Sequence, residues 1–361
     1  MNYKNFFTLS MILLVLSPLS AQNDSETRSF LKIVPVGKET TLEVSNKYGT
    51  IQVTTWNKDS AYIKAEVKAF AKDRSKLGKM FDGITVNISD TKYLVRAQTE
   101  FTSNINTLFE SFKGMTSKII SYDSHIEINY FINIPEYLNL KIENKYGDVY
   151  MENNTGEFNI SISNGSFKAN SLGKKTSIKM VFCDAKINSI ESGNIDASFS
   201  DLSIGETGDL SINSISSKYD IKKADMISGE SRRDKFFIEN IVSLQGNAYF
   251  TDYKMNNVRK EINLTTRYGS VDASVIAKVF ESVNINSGYS DLTLSFEPGS
   301  SYNLDIKHSN SFLVLPDRNI KTEQKVLNED KKEYIISGTF GKSPGTAKVK
   351  IDATRGNIYI K

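Results

Sequence analysis

The sequence predicts an all-β protein, a parallel β-solenoid of about 18 to 20 residues per coil, on three observations. One eight-residue motif recurs, reading NKYGTIQV from Asn46, NKYGDVYM from Asn144 and TRYGSVDA from Thr266. Alternating apolar and polar residues, which are typical of strands, dominate the chain. The motif and its degenerate copies return at a fixed period with no helix inside each unit, which is the signature of a solenoid.

The copies of the motif align on the polar residue that follows the small one, and this column sets the length of a coil. Most successive members are about one coil apart, whereas 32 residues separate Asp220 from Asp252. We interpret that long step as two coils with a degenerate copy near RRDKFF between them. The predicted members of the column are Asp148, Ser166, Asp184, Asp201, Asp220, Asp252, Ser270, Asp291 and Ser311.

Each motif is predicted to be a corner at which the chain turns from one strand into the next. Ile142 before the motif and Val149 after it stand at positions of opposite parity. The chain must therefore bend at Gly147 if both side chains are to face the interior. A small residue at the bend would let neighbouring corners stack about 4.8 Å apart, and Gly269 is expected to have the same role.

The motifs also carry a resemblance to a known family. The segments LEVSNKYGTIQVTTW and LNLKIENKYGDVYM, the charged AKDRSKLGKMFDGI between them and the closing TRGNIYIK resemble the adhesin-like β-strand-repeat family of bacterial envelope proteins, a domain family of unknown function. The resemblance runs from about Lys32 to Lys361. It implies a right-handed parallel β-helix exported by Gram-negative bacteria, and it implies no reaction and no catalytic residues.

Three segments are expected along the chain. Residues 1–21 contain Lys4, a short apolar run and small residues before Ala21, which together predict a signal peptide that is removed on export. Residues 22–137 are expected to form a strand-rich region with a short helix that caps the solenoid, because exposed strand edges at solenoid ends need protection. Residues 138–361 are expected to form the solenoid and its closing strands.

Composition excludes several classes of function. The net charge of +3 on 361 residues is too small, and its basic residues too dispersed, to indicate nucleic-acid binding. Cys183 is the single cysteine, so no intramolecular disulfide can form. No apolar run after residue 21 is long enough to span a bilayer, which predicts a mature chain without a transmembrane segment.

Two columns of the repeat leave alternatives open. Stacked carboxylates repel one another, so the aspartates are expected to accept backbone N–H bonds at solvated corners, with bound calcium as the alternative. Aromatic residues two positions earlier either pack inside the corner or line an outer face. Inward packing is the favoured interpretation, because Phe182, Phe199 and Phe250 are of a type seldom exposed. If the column faces outward, the candidate ligand contacts are Tyr146, Tyr268 and Tyr289.

The remaining motifs point to no catalytic, cofactor or metal site. Gly341, Lys342 and Ser343 match the end of a phosphate-binding loop, yet position 336 is isoleucine where that loop requires glycine. His125 and His308 are the only histidines, too few for a triad or histidine-based zinc site to be expected. Mixed charge is concentrated only in residues 232–235, where a solvated turn is expected. The sequence therefore favours a non-enzymatic envelope protein that binds a glycan or another envelope component, with a polysaccharide-cleaving β-helix enzyme as the alternative.

Overall fold

The computed structural model describes residues 24–102, 124–341 and 345–361. Across these ranges it contains twenty-four strands, joined in one sheet of mostly parallel strands, and one helix. The prediction of an all-β solenoid is confirmed, and its right-handedness stays a prediction. The predicted signal peptide, residues 1–21, lies outside the described residues. In the described ranges no helix has the length and apolar character that crossing a membrane would need.

The N-terminal region is mixed, with antiparallel strands around the first coil. Strands β1 and β4 pair antiparallel, as do β4 and β7, and β5 and β6. By contrast, β2 and β3 pair parallel with later strands and form a coil of the solenoid. The bounds are β1 (Asp24–Pro35), β2 (Thr41–Lys47), β3 (Ile51–Thr55), β4 (Ser60–Ala71), α1 (Arg74–Asp82), β5 (Ile84–Asp90), β6 (Leu94–Phe101) and β7 (Ser124–Ile134).

Helix α1 lies in the charged segment where the sequence predicts a short helix. The Asp73 side chain caps its first turn by accepting a hydrogen bond from the Lys76 backbone N–H. The helix buries Leu77, Met80 and Phe81, and it contacts β1, β4 and β5. These apolar residues cover core that would otherwise face water at this end of the solenoid.

The central coils stack with unbroken parallel pairing along most of their length. The register places Asp184, Asp201, Lys218, Lys235 and Asp252 level with one another, so four successive coils each contain 17 residues. The strands are β8 (Asn139–Lys145), β9 (Val149–Asn154), β10 (Phe158–Leu172), β11 (Thr176–Ser198), β12 (Asp201–Ile215), β13 (Lys218–Arg232), β14 (Lys235–Tyr249) and β15 (Asp252–Arg267).

The C-terminal coils depart from sequence order. Strand β23 lies between β17 and β19, and β24 lies between β18 and β20, so the last segment of the chain inserts into the stack. Strands β22 and β21 add antiparallel at the end. The bounds are β16 (Ser270–Ile276), β17 (Ser282–Gly288), β18 (Asp291–Phe296), β19 (Tyr302–Ser309), β20 (Phe312–Val314), β21 (Ile320–Asn328), β22 (Glu333–Phe340), β23 (Ala347–Thr354) and β24 (Asn357–Ile360).

The core is a set of ladders made of equivalent residues in successive coils. Tyr219, Phe236 and Tyr253 form one such ladder, with ring centroids 4.5 and 4.8 Å apart. All three rings are buried. Burial of each apolar side chain contributes about 1.5 to 3 kcal/mol, and the parallel pairing satisfies the backbone groups between them. The interior is thus filled coil by coil, and function has to be sought on the outer surface.

Candidate functional site

The corner that the motif predicts consists of three consecutive positions, which we number first, second and third. The first-position residue has a left-handed backbone, with φ between 50° and 65°. At Tyr146 this φ is 57°, whereas Gly147 after it has no positive φ, so the predicted bend is made by the aromatic residue. First-position residues are Tyr48, Tyr146, Asn164, Phe182, Phe199, Ser216, Arg233, Phe250, Tyr268, Tyr289, Asn310 and Arg355.

The aromatic residues at the first position point into solvent. Tyr146 is 41% exposed, Phe182 57% and Phe250 55%, and Tyr268 and Tyr289 are nearly half exposed. The favoured interpretation of inward packing was therefore wrong. The reason is geometric: the left-handed residue reverses the in–out alternation, which brings the flanking strands to the core and leaves its own side chain outside. We call these exposed rings the corner stripe: Tyr48, Tyr146, Phe182, Phe199, Phe250, Tyr268 and Tyr289.

Rings of the corner stripe stack on one another along the solenoid. Phe182 and Phe199 have centroids 4.9 Å apart with planes 12° from parallel, and Phe250 stacks on Tyr268 in the same way. Tyr268 in turn stacks on Tyr289 at 5.0 Å. Each pair contributes about 0.5 to 1.5 kcal/mol, which offsets the cost of about 1 to 2 kcal/mol for a left-handed residue. Stacked rings cover one another's faces and present their edges and hydroxyl groups to solvent.

The corner stripe is interrupted and has distinct ends. Asn164 separates Tyr146 from Phe182, and Ser216 and Arg233 separate Phe199 from Phe250. At the C-terminal end the Arg355 guanidinium lies 4.9 Å from the Tyr289 ring centroid and donates a 2.9 Å hydrogen bond to its hydroxyl. The stripe thus consists of short stacked groups rather than one continuous ladder.

Small residues fill the second corner position because neighbouring coils approach closely there. A Cβ added to Gly147 would overlap the Gly49 backbone, and one added to Gly269 would overlap the Thr251 backbone. In the central coils hydrogen bonds replace glycine at this position. The backbone N–H of Cys183 donates to Ser200 Oγ at 3.1 Å, and that of Ser200 donates to Ser217 Oγ at 3.2 Å.

The third position holds most of the predicted aspartate column. Asp148, Asp184, Asp201, Asp252 and Asp291 occupy it, together with Ser166, Lys218, Lys235 and Ser270. Asp220 does not, because the register places it level with Ser203, two residues further along the strand. The prediction slipped because Ser216 at the first position lacks an aromatic side chain. Two lysines therefore break the column, and the apparent 32-residue step is two coils of 17 residues after the correct member, Lys218.

Several column aspartates accept hydrogen bonds from the next coil. Asp148 Oδ1 accepts 2.8 Å bonds from both the backbone N–H and the hydroxyl of Ser166. Asp252 Oδ1 accepts from the Ser270 hydroxyl at 2.7 Å, and Asp291 Oδ1 accepts from the Asn357 N–H at 2.9 Å. These contacts are those expected of turn residues. Among the described residues, no three His, Cys, Asp or Glu side chains are grouped to hold a metal ion.

Residues 232–235 are not wholly a solvated turn, which corrects the expectation. Asp234 occupies the second corner position and is only 1% exposed. Its carboxylate accepts hydrogen bonds from the Ser214 and Ser231 hydroxyls, at 2.6 and 2.7 Å, and from the Ser217 backbone N–H at 2.7 Å. Its charge is therefore used inside the corner and is withheld from any outer site.

A groove lies on the outer surface beside the central corners and was not foreseen from the sequence. Its volume is about 630 Å³, and its walls include Asp196, Asn213, Glu230, Arg232 and Tyr249. All five side chains are exposed. The position of Tyr249, one residue before Phe250 of the corner stripe, was the available signal, because outer-face positions next to each corner stack as regularly as the motif itself.

The two histidines lie in separate parts of the fold. His125 on β7 stacks on Phe70 with centroids 4.0 Å apart, whereas His308 on β19 is buried beside Tyr334. Burial lowers the pKa of both imidazoles. Of the residues resembling a phosphate loop, Lys342 and Ser343 lie outside the described residues. The described structure therefore brings none of these residues together in a site.

Comparisons with known proteins give little guidance. Neither a family model nor a curated protein matches the chain. Among solved structures, a candidate cell adhesion protein from Clostridium sporogenes is 14% identical, over 93% of this chain and 100% of its own, with a TM-score of 0.20. A candidate adhesin from Bacteroides fragilis is 12% identical, over 92% and 97%, with a TM-score of 0.27. Both TM-scores are too low for either likeness to carry an argument.

Proposed function

We propose that this chain is an exported, non-enzymatic protein of the cell envelope, in the periplasm or on the outer surface, that binds like an adhesin. Its partner is a glycan or another envelope component. The observation that carries the proposal is the corner stripe, which exposes aromatic side chains at one corner of seven coils. Contiguous exposed apolar surface rimmed by polar residues is typical of interaction sites.

The proposal follows from how a stack of coils presents its surface. Equivalent residues recur at each step of about 4.8 Å, so a partner with a repeating structure gains a small contact from each coil. Several weak contacts then add up to avidity without one deep pocket. Within the stripe, Tyr146, Tyr268 and Tyr289 are the proposed ligand contacts, because each combines an apolar ring with an exposed hydroxyl.

The alternative is a β-helix enzyme, a lyase or hydrolase, that acts on polysaccharides. One observation favours it: Asp196 and Glu230 line the same groove as Arg232. Paired carboxylates on either side of a glycosidic bond are what hydrolysis requires. The described structure brings no histidine to this groove, and its carboxylates are open to solvent.

Binding to immobilised envelope polysaccharides by the purified chain tests the proposal. We expect the double variant Tyr268→Ala, Tyr289→Ala to bind about tenfold more weakly, since two ring contacts are lost. Tyr93→Ala is the matched control, because Tyr93 is an exposed tyrosine outside the stripe. Ultraviolet absorbance of unsaturated products, measured with uronic-acid polysaccharides, tests the alternative. Turnover that disappears in Arg232→Ala would overturn the non-enzymatic proposal.

A further inference from the structure

The groove beside the central corners, which we call the outer groove, is built from two rows of outward-facing residues. Adjacent strands pair in parallel, so each row runs along the solenoid in steps of about 4.8 Å. One row is polar: Asp196, Asn213, Glu230 and Asn247. The other lies two residues nearer the corner: Ser198, Ile215, Arg232 and Tyr249.

The polar side chains of the outer groove are available to a ligand. Asp196 accepts one long hydrogen bond, 3.4 Å, from Asn213 Nδ2. In the described parts of the chain, the side chains of Glu230, Arg232 and Asn247 make no hydrogen bond or ion pair to other protein groups. Carboxylates that only accept, amides that do both and a guanidinium that only donates therefore stand within a few rungs of one another.

Tyr249 supplies the apolar element that the corner stripe cannot. Rings of the stripe cover one another's faces, whereas no aromatic ring in the described structure lies against Tyr249, which is 41% exposed. Ile215, two rungs away in the same row, is also exposed. A flat, partly apolar ring can therefore pack on Tyr249 while its polar edge reaches the neighbouring row.

We propose that the outer groove binds a neutral oligosaccharide that runs along the solenoid. Sugar hydroxyls would donate to Asp196 and Glu230 and accept from Arg232 and the amides, while one sugar ring packs on Tyr249. The ligand is neutral because Lys179 and Arg232 in the lining balance Asp196 and Glu230. The volume of about 630 Å³ lies within the range of about 300 to 1,000 Å³ typical of ligand sites. This inference rests on the proposed glycan binding and names its site and ligand class.

Calorimetry with the full mature chain tests the inference on a panel of neutral hexasaccharides: cellohexaose, xylohexaose, mannohexaose and chitohexaose. Polygalacturonate serves as the anionic comparison. We expect at least one neutral hexasaccharide to bind, with affinity about tenfold weaker in Tyr249→Ala and in Glu230→Gln. Tyr268→Ala is the matched control, because Tyr268 belongs to the corner stripe and does not line the outer groove.

The outcomes separate this inference from the proposed function. Loss of binding in Tyr249→Ala but not in Tyr268→Ala supports the outer groove and shows that the stripe tyrosines are not the contacts. Loss in Tyr268→Ala alone keeps a glycan-binding protein but overturns the outer groove as its site. Failure of all four neutral hexasaccharides to bind, a clear preference for polygalacturonate, or release of new reducing ends would also overturn the inference.

Discussion

At the scale of single residues, the second corner position is set by the distance between coils. Gly147 faces the Gly49 backbone so closely that even a Cβ would overlap it. We therefore expect Gly147→Ala to lower the free energy of unfolding by about 1 to 3 kcal/mol, as overpacking does. Gly78→Ala is the control, because a Cβ on this helical glycine would meet nothing within 4 Å and alanine favours a helix. Urea melts that rank Gly147→Ala at or above wild type would contradict this account.

A buried histidine gives the stability a pH dependence whose sign can be worked out. Burial lowers the pKa of His308 below its ordinary value near 6.5, so the unfolded chain binds the proton more readily than the folded one. The contribution is fully present above pH 6.5 and is lost as the pH falls toward the folded pKa. We expect thermal melts between pH 7 and pH 5 to show a smaller loss in His308→Gln than in wild type. Equal losses in both proteins would contradict the assignment.

At the scale of elements, the corners of β12, β13, β14 and β15 are tied together by side-chain hydrogen bonds. Asp234 is the centre of this network, since it accepts from Ser214, Ser217 and Ser231. Replacing it with asparagine sets an amide donor against groups that already donate. We expect Asp234→Asn to cost about 1 to 3 kcal/mol of stability, measured by urea unfolding. Its exposed neighbour provides the control, and Lys235→Gln should stay within about 0.5 kcal/mol of wild type.

The aspartate column behaves as a set of turn acceptors in this fold. Asp148 and Asp252 take hydroxyl donors from the coil that follows, and Lys218 and Lys235 stand between the acidic members. Because these contacts already relieve the repulsion, we expect a calcium chelator to leave the melting temperature almost unchanged. A large drop that added calcium reverses would assign the column to metal binding instead.

The elements also show what sequence could and could not predict. The strand alternation, the small second position and most third-position aspartates follow from local rules, and α1 follows from its cap and apolar spacing. Asp220 was misplaced because Ser216 and Arg233 break the aromatic signal while keeping the same backbone. The outward direction of Phe182 depends on a left-handed φ, which residue type does not reveal. The outer groove depends on which residues become level in neighbouring coils, so Tyr249 could be found only from the register.

At the scale of the whole molecule, the chain is close to a one-dimensional stack in which each coil contacts mainly its two neighbours. In such a stack, stability is approximately a sum over coils and their interfaces. Helix α1 covers one end and the antiparallel strands β21 and β22 lie at the other, so the central coils contribute length without closing the fold. Removing a whole coil should therefore preserve the architecture, whereas removing part of one should not.

Deletion of residues 201–217 removes one coil and brings Lys218 into the position of Asp201, because the two are level in the register. Every inward residue then still faces the core, and we expect a cooperative thermal transition and a strand-dominated far-ultraviolet circular dichroism spectrum like that of wild type. Deletion of residues 201–208 is the control. It leaves the following strand out of step with the corner and turns apolar side chains toward water, so the stack should break there. If both deletions unfold the chain alike, coils do not contribute separately, and the surface could not bind a repeating partner one coil at a time.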